Sequence, residues 1–168
     1  MEFLPIDRWI HFLAGITWIG LLYYFNFIQV PAMAAATADK DGPGPAAIGK
    51  YVAPRALLWF RWAAVATWLS GAAYLGGDFP KALALGLTEG STRYHTTIGM
   101  GAWLGTIMLF NVWVLIWPNQ KKILGIVSAS ADEIARAKRV ALLASRSNTL
   151  LSIPLLMFMG GASHGLPF

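Results

Sequence analysis

The chain has 168 residues, 57% of them hydrophobic and only 12% charged, with a mean hydropathy of +0.55 and a formal net charge of +5. Soluble domains carry about a quarter charged residues, so the composition excludes an ordinary soluble enzyme and indicates a membrane protein. The absence of cysteine excludes disulfides, iron–sulfur clusters, thiolate chemistry and a covalently attached c-type heme.

The N-terminal stretch 1–8 lacks the basic region and small-residue cleavage site of a signal peptide, so the first apolar run is expected to be retained. Four runs are long enough for a hydrocarbon core, which takes ~20 apolar residues. They cover residues 9–30, 57–75, 96–117 and 142–162. Loops and tails take nearly everything else. The expected fold is therefore all-α, a single domain over 1–168, an integral membrane four-helix bundle of two helical hairpins. Between the first two runs, Asp41-Gly-Pro-Gly-Pro45 is a breaker-rich turn. Gly76-Gly-Asp-Phe-Pro80 ends the second run, and 81–87 is expected along the membrane surface. Ser130-Ala-Asp-Glu133 is a capping box that should start a basic amphipathic helix leading into the fourth run.

Basic residues set the orientation. Lys40, Lys50, Arg55, Lys121, Lys122, Arg136, Lys138, Arg139 and Arg146 fall on one side, against Arg8, Lys81 and Arg93 on the other. The richer side is cytoplasmic, which places both termini in the periplasm of a bacterial inner membrane. The pI near 9.8 follows from this distribution, and no nucleic-acid partner is implied.

Helices one and three share a pattern. His11, Gly15, Trp18, Gly20, Phe25 and Asn26 match His95, Gly99, Trp103, Gly105, Phe110 and Asn111, with one extra residue before the second Trp. Two hairpins related by a pseudo-two-fold axis along the membrane normal would explain it. Chance likeness between Gly- and Trp-rich helices is the alternative.

The chain has three histidines, His11, His95 and His164, and alternating helices carry all three to the outer side. Ionisable residues at membrane depth are a default hint of function. Neutral imidazoles from facing helices ligate a b-type heme, and His11 and His95 should agree in depth within about one turn, ~5 Å. Gly15 and Gly99, four residues on, lie on the same helix faces and would admit a flat macrocycle; plain helix packing through small residues explains them equally well. His164 is a third ligand, a hydrogen-bond partner or a replacement axial ligand. Copper or zinc is a weaker alternative, and each histidine taken singly reads as an interfacial helix cap. A second polar group, Arg61 with Asn26 and Asn111, lies toward the cytoplasm. It is either a snorkelling arginine with packing asparagines or a seat for an anionic or quinone-like ligand.

Three stretches carry a family resemblance: His11-Phe-Leu-Ala-Gly-Ile-Thr-Trp-Ile-Gly20, Phe110-Asn-Val-Trp-Val-Leu-Ile-Trp-Pro-Asn-Gln-Lys-Lys122 and Ala144-Ser-Arg-Ser-Asn-Thr-Leu-Leu-Ser-Ile-Pro154. They resemble the membrane domain of PuuD-type urate hydroxylases, the urate oxidase N-terminal domain. The resemblance implies a bacterial inner-membrane protein tied to redox chemistry. In such proteins the membrane domain is joined to a cytochrome c. This sequence has no Cys-x-x-Cys-His, so the resemblance implies a separate electron acceptor. The expectation is a heme b-binding electron-transfer protein, an oxidoreductase component partnered by the lipid bilayer and by other membrane or periplasmic redox subunits. The alternative is a non-catalytic accessory subunit of a larger respiratory or oxygenase complex.

Overall fold

The computed structural model describes residues 4–166. Residues 1–3 and 167–168 lie outside the described residues. Helix α1 begins as Leu4–Tyr23, widens into a π turn over Tyr24–Gln29 and continues as Val30–Ala38. Helix α2 opens with a π turn, Ile48–Val52, and runs on as Ala53–Leu75. A 3₁₀ turn, Gly76–Asp78, leads into the short α3, Phe79–Leu83. Helix α4 comprises Arg93–Phe110, a π turn at Asn111–Ile116 and Trp117–Ile123. Helix α5 is one piece, Ala131–His164.

The three π turns have one cause. Each ends two residues before a proline: Gln29 before Pro31, Val52 before Pro54 and Ile116 before Pro118. Proline donates no hydrogen bond, and its ring clashes with the carbonyl four residues back. Widening the preceding turn moves that carbonyl aside without breaking the helix. At the other chain signal, Ser130 and Glu133 form the expected capping box: Glu133 N donates to Ser130 Oγ at 3.3 Å, and Ser130 N donates to Glu133 Oε2 at 2.9 Å. The basic stretch after it is the first part of α5 itself.

The helices alternate in direction, and the strongest packing is α1 on α2 and α4 on α5, giving two hairpins. In the first hairpin Phe25 meets Phe60 edge to face at 5.5 Å, and His11 meets Thr67 near the other end. In the second, Asn111 faces Asn148, and Gly101 faces Met159. The hairpins join through a core of Trp18, Leu22, Phe60, Met108, Val112 and Leu155. Their outward faces are equally apolar, with Ile16 72%, Trp59 67% and Leu150 70% exposed. A bundle apolar inside and out is built for lipid.

The chain is a helical multi-pass membrane protein. Three of its helices, Pro5–Ala38, Arg93–Ile123 and Ala131–His164, are long and apolar enough to cross a bilayer. Helix α2 is long enough but falls short on composition, since Arg61 interrupts its apolar run. It nevertheless packs along α1.

Candidate functional site

Toward the histidine end the four long helices line a partly open cavity of about 470 Å³. His11, Gly15 and Trp18 line it from α1, and Thr67, Gly71 and Tyr74 from α2. Ala102 and Gly105 supply the α4 wall, and Leu155, Met159 and His164 the α5 wall.

His11 is fixed from two sides. Its Nδ1 lies 2.8 Å from the Thr67 carbonyl oxygen, which can only accept, so Nδ1 carries the proton. The other nitrogen, Nε2, makes no hydrogen bond among the described residues, since the one bond of this side chain is through Nδ1. Gly71 makes room for the ring, since a Cβ there would stand 2.9 Å from His11 Cε1 and Nδ1. Gly15, by contrast, lines the cavity with space to spare, its would-be Cβ meeting nothing closer than Thr67 Cγ2 at 3.8 Å. One turn and more below, the indole N–H of Trp18 is also unpartnered, although the side chain is only 2% exposed.

His164, the last residue of α5, lines the same cavity from an exposed position. His95 does not line it. That side chain is 6% exposed and folded back onto its own helix start, with Nδ1 accepting from Thr92 N at 2.9 Å. The proton is then on Nε2, which lies 3.2 Å from Asp78 Oδ1. Lys81 reaches the same oxygen at 3.3 Å. These contacts, His95 first and Lys81 second, hold the Asp78 carboxyl below the usual carboxylate range. Gly99 is not open either, because the carbonyl of Ala82 in α3 fills the space beside it, and Trp103 Nε1 donates to Leu83 O at 2.9 Å. All three histidines lie at one end of the bundle, yet only His11 and His164 share the cavity, with Gly15. His95 and Gly99 serve to seat α3.

Beside the cavity is a smaller polar pocket of about 250 Å³, lined by Arg8, Tyr74, Leu75, Asp78 and Tyr94 together with Pro5. Tyr74 and Leu75 belong to both.

At the proline end the polar residues are spent on packing. Asn26 Nδ2 donates to Ser145 Oγ at 2.8 Å and to Leu22 O at 2.9 Å. Asn111 Nδ2 donates to Asn148 Oδ1 at 2.8 Å, and Asn148 Nδ2 donates to Met108 O at 3.0 Å. Tyr23 Oη pairs with Ser152 Oγ at 2.9 Å. Ser145, Asn148 and Ser152 therefore form a polar stripe on α5 that ties in both α1 and α4. Arg61 takes no part in it, and its guanidinium stacks 3.8 Å over the Trp117 ring.

Sequence reasoning missed Gly71, Thr67 and Trp18 as site residues. Trp18 was visible as part of the shared pattern. Nothing local marks Gly71, whose role depends on the register between α1 and α2.

No curated protein and no solved structure matches the chain. The model of the family described as urate oxidase N-terminal matches residues 81–168, which takes in the end of α3 and all of α4 and α5 and includes both His95 and His164. That match covers just over half of the 168 residues, and the chain belongs to the urate oxidase N-terminal family.

Proposed function

We propose that this protein is a redox component of the bacterial inner membrane, with both termini periplasmic, and that its cavity holds a b-type heme on His11. The observation that carries this reading is the free Nε2 of His11 in an apolar cavity. A backbone acceptor on the far nitrogen is how metal-binding imidazoles are held in one tautomer and orientation. The cavity volume lies within the ~300–1,000 Å³ typical of ligand sites. Bound there, a heme would supply one-electron transfer. His11 would hold the group through Nε2. His164 would hold it from α5 in place of His95, which does not line the cavity and whose Nδ1 accepts from Thr92 N. A partner subunit delivers or removes the electron, and membership of the family supports a place in urate oxidation.

The test is an absorption spectrum of the purified protein, oxidised and dithionite-reduced. Sharp reduced α and Soret bands are expected, lost in His11→Ala, changed to a high-spin form in His164→Ala and retained in His95→Ala. A colourless protein that takes up no added hemin would overturn the reading and leave the accessory-subunit alternative. Loss of the bands in His95→Ala, with a folded protein, would restore the His11–His95 pair.

A further inference from the structure

The two adjoining cavities differ in chemistry. The larger is walled by apolar side chains and small residues, and the smaller by Arg8, Tyr74, Tyr94 and Asp78. Tyr74 and Leu75 form a shared wall, so a ligand body in one lies next to the polar groups of the other. Arg8 precedes His11 by three residues on α1, which puts the guanidinium stem and the imidazole on one face, about one turn apart. Among the described residues Arg8 forms no ion pair. Asp78 also borders the pocket, but its charge is met by Lys81 at 3.3 Å and by the His95 ring at 3.2 Å.

We infer that the smaller pocket is a carboxylate anchor: Arg8, assisted by the Tyr74 and Tyr94 hydroxyls, receives the acid groups of an amphipathic planar macrocycle whose apolar body occupies the larger cavity. This rests on the heme reading of that cavity and extends it to how the ligand is oriented. A guanidinium fork matches a carboxylate in two parallel hydrogen bonds, and a phenol adds a neutral donor. The polar pocket thereby fixes which edge of the macrocycle faces the membrane surface. Its apolar edge is left toward Trp18.

The experiment uses the full chain in lipid nanodiscs and two metal-free probes, protoporphyrin IX and its dimethyl ester, with binding read by quenching of tryptophan fluorescence. Trp18 and Trp68 line the cavity and serve as reporters. Wild-type protein is expected to bind the diacid about tenfold more tightly than the diester, as one partly exposed charge-assisted contact allows. Arg8→Gln should remove that preference by weakening the diacid alone, Arg8→Lys should restore part of it, and Tyr74→Phe should reduce it by about twofold. Equal affinity for the two probes in the wild type, equal weakening of both by Arg8→Gln, or binding of neither would overturn the anchor. The two proposals fail separately. A heme spectrum that requires His11 beside an indifferent Arg8 sinks the anchor alone. An Arg8-dependent preference without a low-spin heme sinks the iron ligation alone.

Discussion

The two hairpins begin from nearly the same pattern and put it to different uses. Each has a histidine, a glycine four residues on, then Trp-x-Gly and Phe-Asn. In the first, His11 donates through Nδ1 to a neighbouring helix and presents Nε2 free. In the second, His95 holds the opposite tautomer, accepting at Nδ1 from its own helix start and turning Nε2 to Asp78. The difference comes from the connections. The link from α2 to α4 contains α3, which lies against α4 and fills the groove beside Gly99. Among the described residues no such element lies over α1 at this end, and the equivalent groove lines a cavity. The same short motif becomes a cavity wall or a structural seat according to what the chain lays over it.

The sharpest way to break this comparison is to crowd the first histidine. A methyl at Gly71 would stand 2.9 Å from the His11 ring, whereas one at Gly15 meets nothing nearer than 3.8 Å. Gly71→Ala should displace the imidazole and abolish or shift the low-spin heme bands, while Gly15→Ala should leave them within error. Identical spectra for the two variants would mean that the placement of His11 does not matter.

That contrast also marks how far the sequence reaches. Four helices, their alternation, the Ser130 cap and the grouping of the histidines at one end all follow from local apolar length and turn chemistry. Gly15 is visible because it lies on the same helix as His11. Gly71 is not, because its relation to His11 depends on how two helices slide past one another. The tautomers are set the same way: Thr67 O and Asp78 lie 56 and 17 positions from the histidines they fix. The π turns are only half legible: each stands before a proline, yet Pro154 lies inside α5 without one. The fate of Asn26 and Asn111 is not legible, because their partners are on α5.

Those asparagines allow a second, smaller test of the likeness. Asn148 is fully buried and makes two hydrogen bonds to α4, one from Asn111 and one to Met108 O. Asn148→Ala should lower stability by about 1–2 kcal/mol, because the Asn111 side-chain amide loses its acceptor in an apolar interior and Met108 O loses one of its two donors. Asn26→Ala should cost roughly half as much, since the Ser145 hydroxyl it leaves can turn to its own helix backbone. Reversible unfolding in mixed micelles measures both. A larger effect from Asn26 would show that α5 is held chiefly by the first hairpin.

The seat of α3 should respond to acid. Asp78 titrates below its ordinary value because of His95 and Lys81. Its contribution is therefore complete above the unfolded carboxyl value, about 3.9, and is lost as pH falls through the lower folded value. Cleavage by an acid-active protease in the segment 84–92 should rise below about pH 4 in the wild type. In Asp78→Asn the same cleavage should be flat with pH. A wild-type profile that is also flat would mean that α3 is held by the Ala82–Gly99 and Trp103–Leu83 contacts without the ion pair.

The smallest expected effect concerns Arg61, a charged group that links the two hairpins. It belongs to α2 and stacks on Trp117 of α4 at 3.8 Å, so the pair closes the proline end of the bundle. Such a contact is worth about 0.5–1 kcal/mol, more if the guanidinium is fully withdrawn from water. Arg61→Leu removes the charge and keeps most of the apolar stem, and Trp117→Leu removes the ring. If stacking is the whole role, each variant loses about the same stability and the double variant loses little more, since both remove one interaction. The heme bands should be unchanged in all three, because the cavity lies toward the other end. A seat for an anionic ligand predicts something different. Arg61→Leu would then change ligand binding or redox behaviour while Trp117→Leu did not, and the two substitutions would add.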